Sequence, residues 1–204
     1  MKQKPMILLG ALLGIGVLLA PGCPTDPIPN GDFESGVLDP WTADGINGGF
    51  VQIVEEGTQW SANPTQNITF ENPVYAANVR SSGPAPTNSV GILTSPAFTV
   101  AFPAVTFIAL SETTQNRPNP VTLTYRILNA TDGSVLFTSE PVATAVVNLD
   151  NAVDAPEGWS HHCIDLTRFA GLSVQIEFQQ HTNVAGQGYF TLIDDVNESP
   201  APCP

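Results

Sequence analysis

Apolar and polar residues alternate with a period of two in the clearest segment of the chain. From residue 121 to 127 every odd position is apolar or aromatic, and the even positions between them are threonine or arginine. This alternation is typical of a strand with one face in a core and the other in solvent. Asp132 and Gly133 follow, and that pair favours a tight turn. Residues 121–138 are therefore predicted to form a β-hairpin whose second strand covers residues 135–138.

Short apolar runs of the same kind recur between turn residues along the whole chain. The 204 residues include 17 glycines and 19 prolines, and no segment after residue 22 keeps a helical period. Such spacing is typical of a sandwich. We predict an all-β fold of two packed antiparallel sheets in a single domain. The other predicted strands cover residues 50–54, 68–70, 74–79, 90–93, 98–102, 105–110, 144–149, 174–179 and 189–196.

The first 22 residues have the pattern of an export signal. Lys2 and Lys4 precede residues 6–19, which contain only apolar side chains and glycine. A membrane-spanning helix needs roughly 20 apolar residues. The run is shorter than that, and it is therefore interpreted as a cleaved signal.

Residues 18–23, Leu-Leu-Ala-Pro-Gly-Cys, resemble the lipobox of bacterial lipoproteins, in which the cysteine is lipidated and becomes the new N-terminus. The resemblance implies a mature chain that begins at an acylated Cys23 and is anchored to the membrane in the bacterial cell envelope, outside the cytoplasm. An ordinary cleaved signal with a nearby cysteine is the alternative. Prolines in residues 23–29 predict an extended tether, and the domain is expected to cover residues 30–204.

The charge of the chain argues against one class of partner. The formal net charge is −13, and both lysines lie within the predicted signal, which leaves four arginines as the strong cations of the mature chain. Such a surface repels phosphate backbones, so nucleic acid is not an expected partner. An acidic surface is compatible with Ca²⁺.

Two cysteines remain if Cys23 carries lipid. Cys163 and Cys203 would lie in an oxidising compartment, where such pairs commonly form disulfides. We expect this bond to tie the C-terminal tail to a late strand. Two free thiols are the alternative.

Four short pieces of the sequence occur in an order known from one group of proteins. They are residues 30–34 (Asn-Gly-Asp-Phe-Glu) with Gly36 and Trp41; residues 93–96 (Leu-Thr-Ser-Pro); Trp159 with residues 164–166 and 170–171; and residues 193–196 (Ile-Asp-Asp-Val). They resemble the jelly-roll sandwiches of the galactose-binding-like group, which includes MAM domains and bacterial carbohydrate-binding modules. The resemblance implies a jelly roll whose first and last strands are neighbours.

Members of this group often hold a structural calcium ion between those strands. By position, the resemblance implies Glu34, Asp194 and Asp195 as ligands, with Asp32 as a further candidate. Ca²⁺ takes six to eight oxygens from carboxylates and carbonyls. Because adjacent strand residues point to opposite faces, only one of Asp194 and Asp195 is expected to bind through its side chain. An acidic corner without an ion is the alternative.

Sugar binding requires an aromatic face beside groups that bond hydroxyls. Trp60 lies in a polar stretch with Gln59 and Asn63, so these three form the candidate ligand site. A loop anchor packed on the sandwich edge is the alternative for Trp60. Trp41 and Trp159 are expected to be structural. The outward row on a late strand, Gln175, Glu177 and Gln179, is expected to be a solvated face.

The sequence contains no signature of catalysis. It has no nucleophile elbow, phosphate-binding glycine loop or dinucleotide fingerprint. His161, His162 and His181 are expected to be ordinary surface residues, because neighbours on a strand cannot aim both rings at one zinc ion. We predict a non-catalytic lipoprotein module that binds glycan or another extracellular ligand. The alternative is a structural or adhesive envelope protein that binds a protein partner and no small ligand.

Overall fold

The computed structural model describes residues 28–55, 75–81, 88–113, 121–148, 159–182 and 190–204. These residues form twelve strands and a single turn of 3-10 helix at Thr167–Phe169. No helix within these ranges is long and apolar enough to span a membrane. The strands are β1 Thr42–Ile46, β2 Gly49–Glu55, β3 Tyr75–Ser81, β4 Ser89–Thr94, β5 Phe98–Thr99, β6 Ala104–Thr113, β7 Val121–Asn129, β8 Val135–Thr138, β9 Ala145–Asn148, β10 Ser160–Asp165, β11 Ser173–Thr182 and β12 Phe190–Ser199.

The strands form two six-stranded sheets. Sheet A has the order β1-β4-β11-β7-β8, and β5 pairs with β11. Sheet B has the order β10-β6-β12-β3-β2, and β9 pairs with β6. Every pairing is antiparallel except that of β6 with β9. The prediction of an all-β, antiparallel two-sheet sandwich is confirmed.

Alternating apolar side chains bring the sheets together. On β11, Val174, Ile176 and Phe178 are fully buried and belong to the core between the sheets. The predicted hairpin is present as β7 paired with β8, and Gly133 takes the positive φ of 71° that its turn needs. The apolar positions of the period-two pattern therefore form one buried face on each sheet.

The folded part of the chain begins earlier than predicted. Ile28 was assigned to the tether, yet it is fully buried in the core. The Trp41 indole donates a hydrogen bond to the Pro29 carbonyl, 3.0 Å away, and packs in a tilted arrangement on Phe33 with ring centroids 5.2 Å apart. The boundary at residue 30 is thus at least two residues too late, because a single isoleucine between prolines shows no periodicity.

The two ends of the chain meet, although not as paired strands. The Val196 amide donates to the Gly31 carbonyl at 2.9 Å, and a Cβ at Gly31 would overlap the Val196 carbonyl. The head segment, residues 30–41, nevertheless consists of turns, with positive φ at Asn30, Phe33 and Gly36. The first strand, β1, pairs with β4 in sheet A, not with β12. The expectation that the first and last strands are neighbours is therefore wrong for β1 and β12, whereas the head segment does lie beside β12.

The predicted disulfide is present. Cys163 on β10 bonds to Cys203 in the C-terminal tail, 40 residues further along the chain. The bond holds the end of the chain against the edge strand of sheet B. The tail is thereby fixed to β10, one of the strands that border the candidate site.

Candidate functional site at the bulge of the last strand

The last strand carries an irregularity in its middle. β12 pairs with β6 in regular register up to Asp194, and pairing resumes at Asn197 with a shift. Asp195 takes a left-handed conformation with φ of 52°, which is uncommon for a residue other than glycine. Bulges of this kind are frequent next to functional sites, where they redirect side chains. Here the bulge separates the surroundings of Asp194 from those of Asp195.

Asp194 lies on the buried side of the bulge. It is 1% exposed; its Oδ1 accepts the amide of Asp195 at 2.8 Å, and its Oδ2 is buried without a hydrogen-bond partner. Burial raises the pKa of Asp194 to about 8, and the nearby negative charges of Asp195, Glu34 and Asp32 act in the same direction. A carboxylate held in this way is costly without a cation or a proton.

Glu34 and Asp32 reach this position from the head segment. Glu34 Oε1 accepts the amide of Tyr75, the first residue of β3, at 3.1 Å. Asp32 Oδ1 accepts the amide of Glu34 at 3.3 Å. The four acidic residues taken from the family resemblance thus lie within electrostatic reach of one another. We call Asp32, Glu34, Asp194 and Asp195 the carboxylate cluster.

The carboxylate cluster suits an oxygen-binding cation in part. Across the described ranges no three Asp, Glu, His or Cys side chains converge as a ready-made metal group. The unpartnered Oδ2 of Asp194 is the atom that fits a cation best, because its burial leaves it without a hydrogen-bond donor. The donors here are all oxygens, as Ca²⁺ prefers, and backbone carbonyls would have to complete its shell. Calcium stays a prediction.

An open cavity lies on the other side of the bulge. Its volume is about 250 Å³, and it is bounded by three strands of sheet B. Thr106 and Ile108 come from β6, His161 and His162 from β10, and Asp195 and Asn197 from β12. We call this cavity the β10 pocket. Its lining combines apolar side chains of β6 with several hydrogen-bonding groups, and small-molecule sites commonly contain both.

His162 is held in one protonation state and orientation. Its ring stacks on Phe107 with centroids 4.8 Å apart, and its Nε2 lies 2.7 Å from Ser160 Oγ. The Ser160 hydroxyl donates to the Ala109 carbonyl at 2.8 Å, so its one proton is already used. Nε2 must therefore donate to Ser160, and Nδ1 is left as the acceptor of the ring. Burial lowers the pKa of His162, with a further lowering from His161, so the ring is neutral at pH 7.

This arrangement corrects the prediction that His162 is an ordinary surface residue. The ring is half-buried and packs on a core aromatic, because β10 lies at the edge of sheet B beside β6. The direction of the Ser160 hydrogen bond is also the reverse of that in an activated nucleophile, where the imidazole takes the hydroxyl proton. The hydrogen bond between Ser160 and His162 is therefore suited to holding the imidazole ring in place.

The polar row on β11 differs from the solvated face that was expected. Gln179 is only 4% exposed and donates through Nε2 to Glu177 Oε1 at 2.7 Å. Arg126 on β7 lies 3.6 Å from the same oxygen, and Gln175 donates to the Ser95 carbonyl at 2.9 Å. These side chains bind one another across the sheet. Because their strongest donors and acceptors are used internally, this row is a weaker candidate for a ligand than the β10 pocket.

Several sequence-predicted residues lie outside the described residues: Gln59, Trp60, Asn63 and Cys23. The segment that carries Trp60 connects Glu55, the last residue of β2, to Tyr75, the first residue of β3, and these two residues pair with each other. Trp41 and Trp159 are 4% and 6% exposed, so the prediction that they are structural is confirmed.

Comparison with protein-family models and with curated proteins finds no match for this sequence. Solved structures do match. The module CBM27-1 of Caldicellulosiruptor saccharolyticus, in complex with mannohexaose, aligns with a TM-score of 0.53 at 14% identity, over 85% of this chain and 97% of its own. The module TmCBM61, in complex with β-1,4-galactotriose, gives 0.51 at 16% identity, with the same coverage.

A third structure, of carbohydrate-binding modules of the β-sandwich superfamily with promiscuous specificity, aligns with a TM-score of 0.51 at 15% identity, over 84% of this chain and 61% of its own. This chain has the sandwich fold of carbohydrate-binding modules. The predicted resemblance to jelly-roll sandwiches of that kind is thereby confirmed at the level of fold.

The β10 pocket could not be predicted from the sequence. Its residues come from three strands that are distant in the chain, and the single-residue register shift at Asp195 has no local signature. The only signal in the sequence was the adjacent pair His161 and His162. Because side chains alternate along a strand, these two were expected to point to opposite faces. At an edge strand both residues border the same cavity.

Proposed function

We propose that this protein is a non-catalytic carbohydrate-binding module, anchored to the bacterial cell envelope by lipid on Cys23 and exposed outside the cytoplasm. The observation that carries the proposal is the sandwich fold, which is shared with modules whose structures contain mannohexaose and galactotriose. The open β10 pocket and the hydroxyl-binding chemistry around it support the same class of ligand.

The charge narrows the ligand to neutral glycans. A chain of net charge −13, with the carboxylate cluster beside its pocket, repels sulfated or uronic sugars. Neutral hydroxyls, in contrast, donate well to carboxylates and imidazole nitrogens. The proposed partner is therefore a neutral oligosaccharide of an extracellular glycan.

A glycan array probed with the full chain tests this function. We expect retention of neutral oligosaccharides. Trp60→Ala should weaken binding about tenfold, equivalent to about 1.4 kcal/mol, because a stacking face is lost. Trp60→Phe is the matched control and should retain most of the affinity. An array without any bound glycan contradicts the function, and a stable protein partner would then favour the adhesive alternative. Equal binding by Trp60→Ala contradicts only the role of Trp60.

The carboxylate cluster is proposed to hold one structural calcium ion. Asp194 would bind through its buried Oδ2, and Glu34 and Asp32 would contribute oxygens from the head segment. Bound calcium would supply positive charge beside Asp194, whose carboxyl is influenced by the negative charges of the other three residues of the cluster. The residues of the cluster would then join the two ends of the folded chain, which supports the proposed role as a stabilising site rather than a reactive one.

Lipidation makes a prediction of its own. Intact-mass analysis of protein extracted from bacterial membranes should show a chain that starts at Cys23 and carries acyl groups, each buried methylene of which contributes about 0.8 kcal/mol of membrane affinity. Cys23→Ala should move the protein to the soluble fraction. A free thiol at residue 23 in the mature wild-type protein would end this part of the proposal.

A further inference from the structure

We propose that the β10 pocket binds a single ring of the neutral glycan, so that Asp195, His162 and Asn197 read its hydroxyls. This inference rests on the proposed function and assigns the place of recognition. The cavity measures about 250 Å³, just below the range of roughly 300–1,000 Å³ found for sites of drug-sized ligands. Its size therefore suits one ring, while the rest of an oligosaccharide remains outside.

The pocket offers a sugar ring mainly hydrogen-bonding contacts. The middle strand of its lining is β6, whose Phe107 and Ile108 line the cavity but are only 1% and 5% exposed. β10 and β12 flank β6 and contribute the hydrogen-bonding groups.

The polar groups favour adjacent hydroxyls over other ligands. Asp195 offers carboxylate oxygens that only accept, and the fixed tautomer of His162 leaves Nδ1 as a second acceptor. Asn197 can both donate and accept. Hydroxyl groups match this set, because each one donates one bond and accepts others.

Competing ligand classes fit the pocket less well. An anion would meet Asp195 and the rest of the carboxylate cluster. A transition metal would need at least three ligands, and the described part of the chain brings no three suitable side chains together.

The groups that read the ligand are held in place before binding. His162 is fixed by Phe107 and Ser160, and Cys163, its neighbour on β10, is bonded to Cys203. Asp195 is fixed by the bulge. A pre-formed site loses less conformational entropy on binding, and affinity rises accordingly.

The test uses the full chain and the neutral oligosaccharide that the array retains best, measured by titration calorimetry. Thr106→Arg places a long side chain in the pocket next to Asp195 and should lower affinity at least about 100-fold. Thr138→Arg is the matched control, since Thr138 is also an exposed strand threonine but lies on β8 of sheet A. It should bind like wild type.

Asn197→Ala is the second, smaller change and should lower affinity about tenfold through loss of a hydrogen-bonding amide. If Thr106→Arg does not fold, the affinity of Asn197→Ala tests the inference. Wild-type affinity in a folded Thr106→Arg or Asn197→Ala variant overturns the inference while the glycan function stands. Failure of the wild-type protein to bind any glycan overturns the function, and this inference with it.

Discussion

Replacing Cys163 and Cys203 together by serine is expected to lower the free energy of unfolding by about 4 kcal/mol. The disulfide closes a loop of 40 residues, and most of its effect comes from restricting the unfolded chain. For a domain of this size the loss corresponds to a fall in melting temperature of about 10 °C. Urea denaturation of the double variant beside the oxidised wild type measures it.

Two comparisons make this result specific. Wild-type protein unfolded in reducing buffer should match the double variant, and the double variant itself should not respond to reductant. The double variant should also bind the array-selected oligosaccharide more weakly, because His162 is adjacent to Cys163 on β10. Equal urea midpoints for wild type and variant would show that the disulfide does not stabilise the folded state.

Asp194→Asn is expected to change stability in opposite directions with and without calcium. In EDTA at pH 8 the variant should be more stable than wild type, by an amount on the order of 5 kcal/mol, because the folded wild type must keep a carboxyl whose pKa is raised from 3.8 to about 8. In excess calcium the wild type should be the more stable protein, because the carboxylate then has a cation.

The pH dependence of wild-type stability in EDTA follows from the same raised pKa of Asp194. Well below pH 3.8 the carboxyl is protonated in both the folded and the unfolded chain. Between pH 4 and 8 the unfolded chain releases the proton and the folded chain keeps it, so wild-type stability falls as pH rises. Asparagine does not titrate, so the stability of Asp194→Asn should not show this decrease with rising pH.

Thermal melts at pH 5 and pH 8, each in EDTA and in calcium, test the inversion. Asp44→Asn is the control, because Asp44 is an exposed aspartate on β1 of sheet A, away from the cluster. Its melting temperature should differ little from that of wild type in all four buffers. The same ranking of wild type and Asp194→Asn in EDTA and in calcium would rule out a stabilising cation at Asp194.

The strands that could be predicted are those with one buried and one open face. Residues 121–127 and the inward positions Val174, Ile176 and Phe178 show the period of two because the core lies on one side only. β1 was missed because all five of its residues are exposed, so it has no apolar pattern. β10 was missed because its sequence, Ser-His-His-Cys-Ile-Asp, is mostly polar.

The candidate site was predictable only in part. The carboxylate cluster came from a resemblance that relates residues more than 150 positions apart, and the structure brings Asp194 within electrostatic reach of Glu34 and Asp32. The separation of Asp194 from Asp195 depends on one bulge, and the β10 pocket depends on the sheet order that places β10 beside β6. Neither the order of strands in a sheet nor a one-residue register shift can be predicted from a local sequence pattern.

We propose that head and tail meet at a cation site, and titration calorimetry of the metal-free full chain with CaCl₂ measures binding at that site. We expect one calcium ion per chain for wild type and no binding for a folded Asp194→Asn variant. Absence of calcium binding by the wild type, or undiminished binding by the variant, would contradict it.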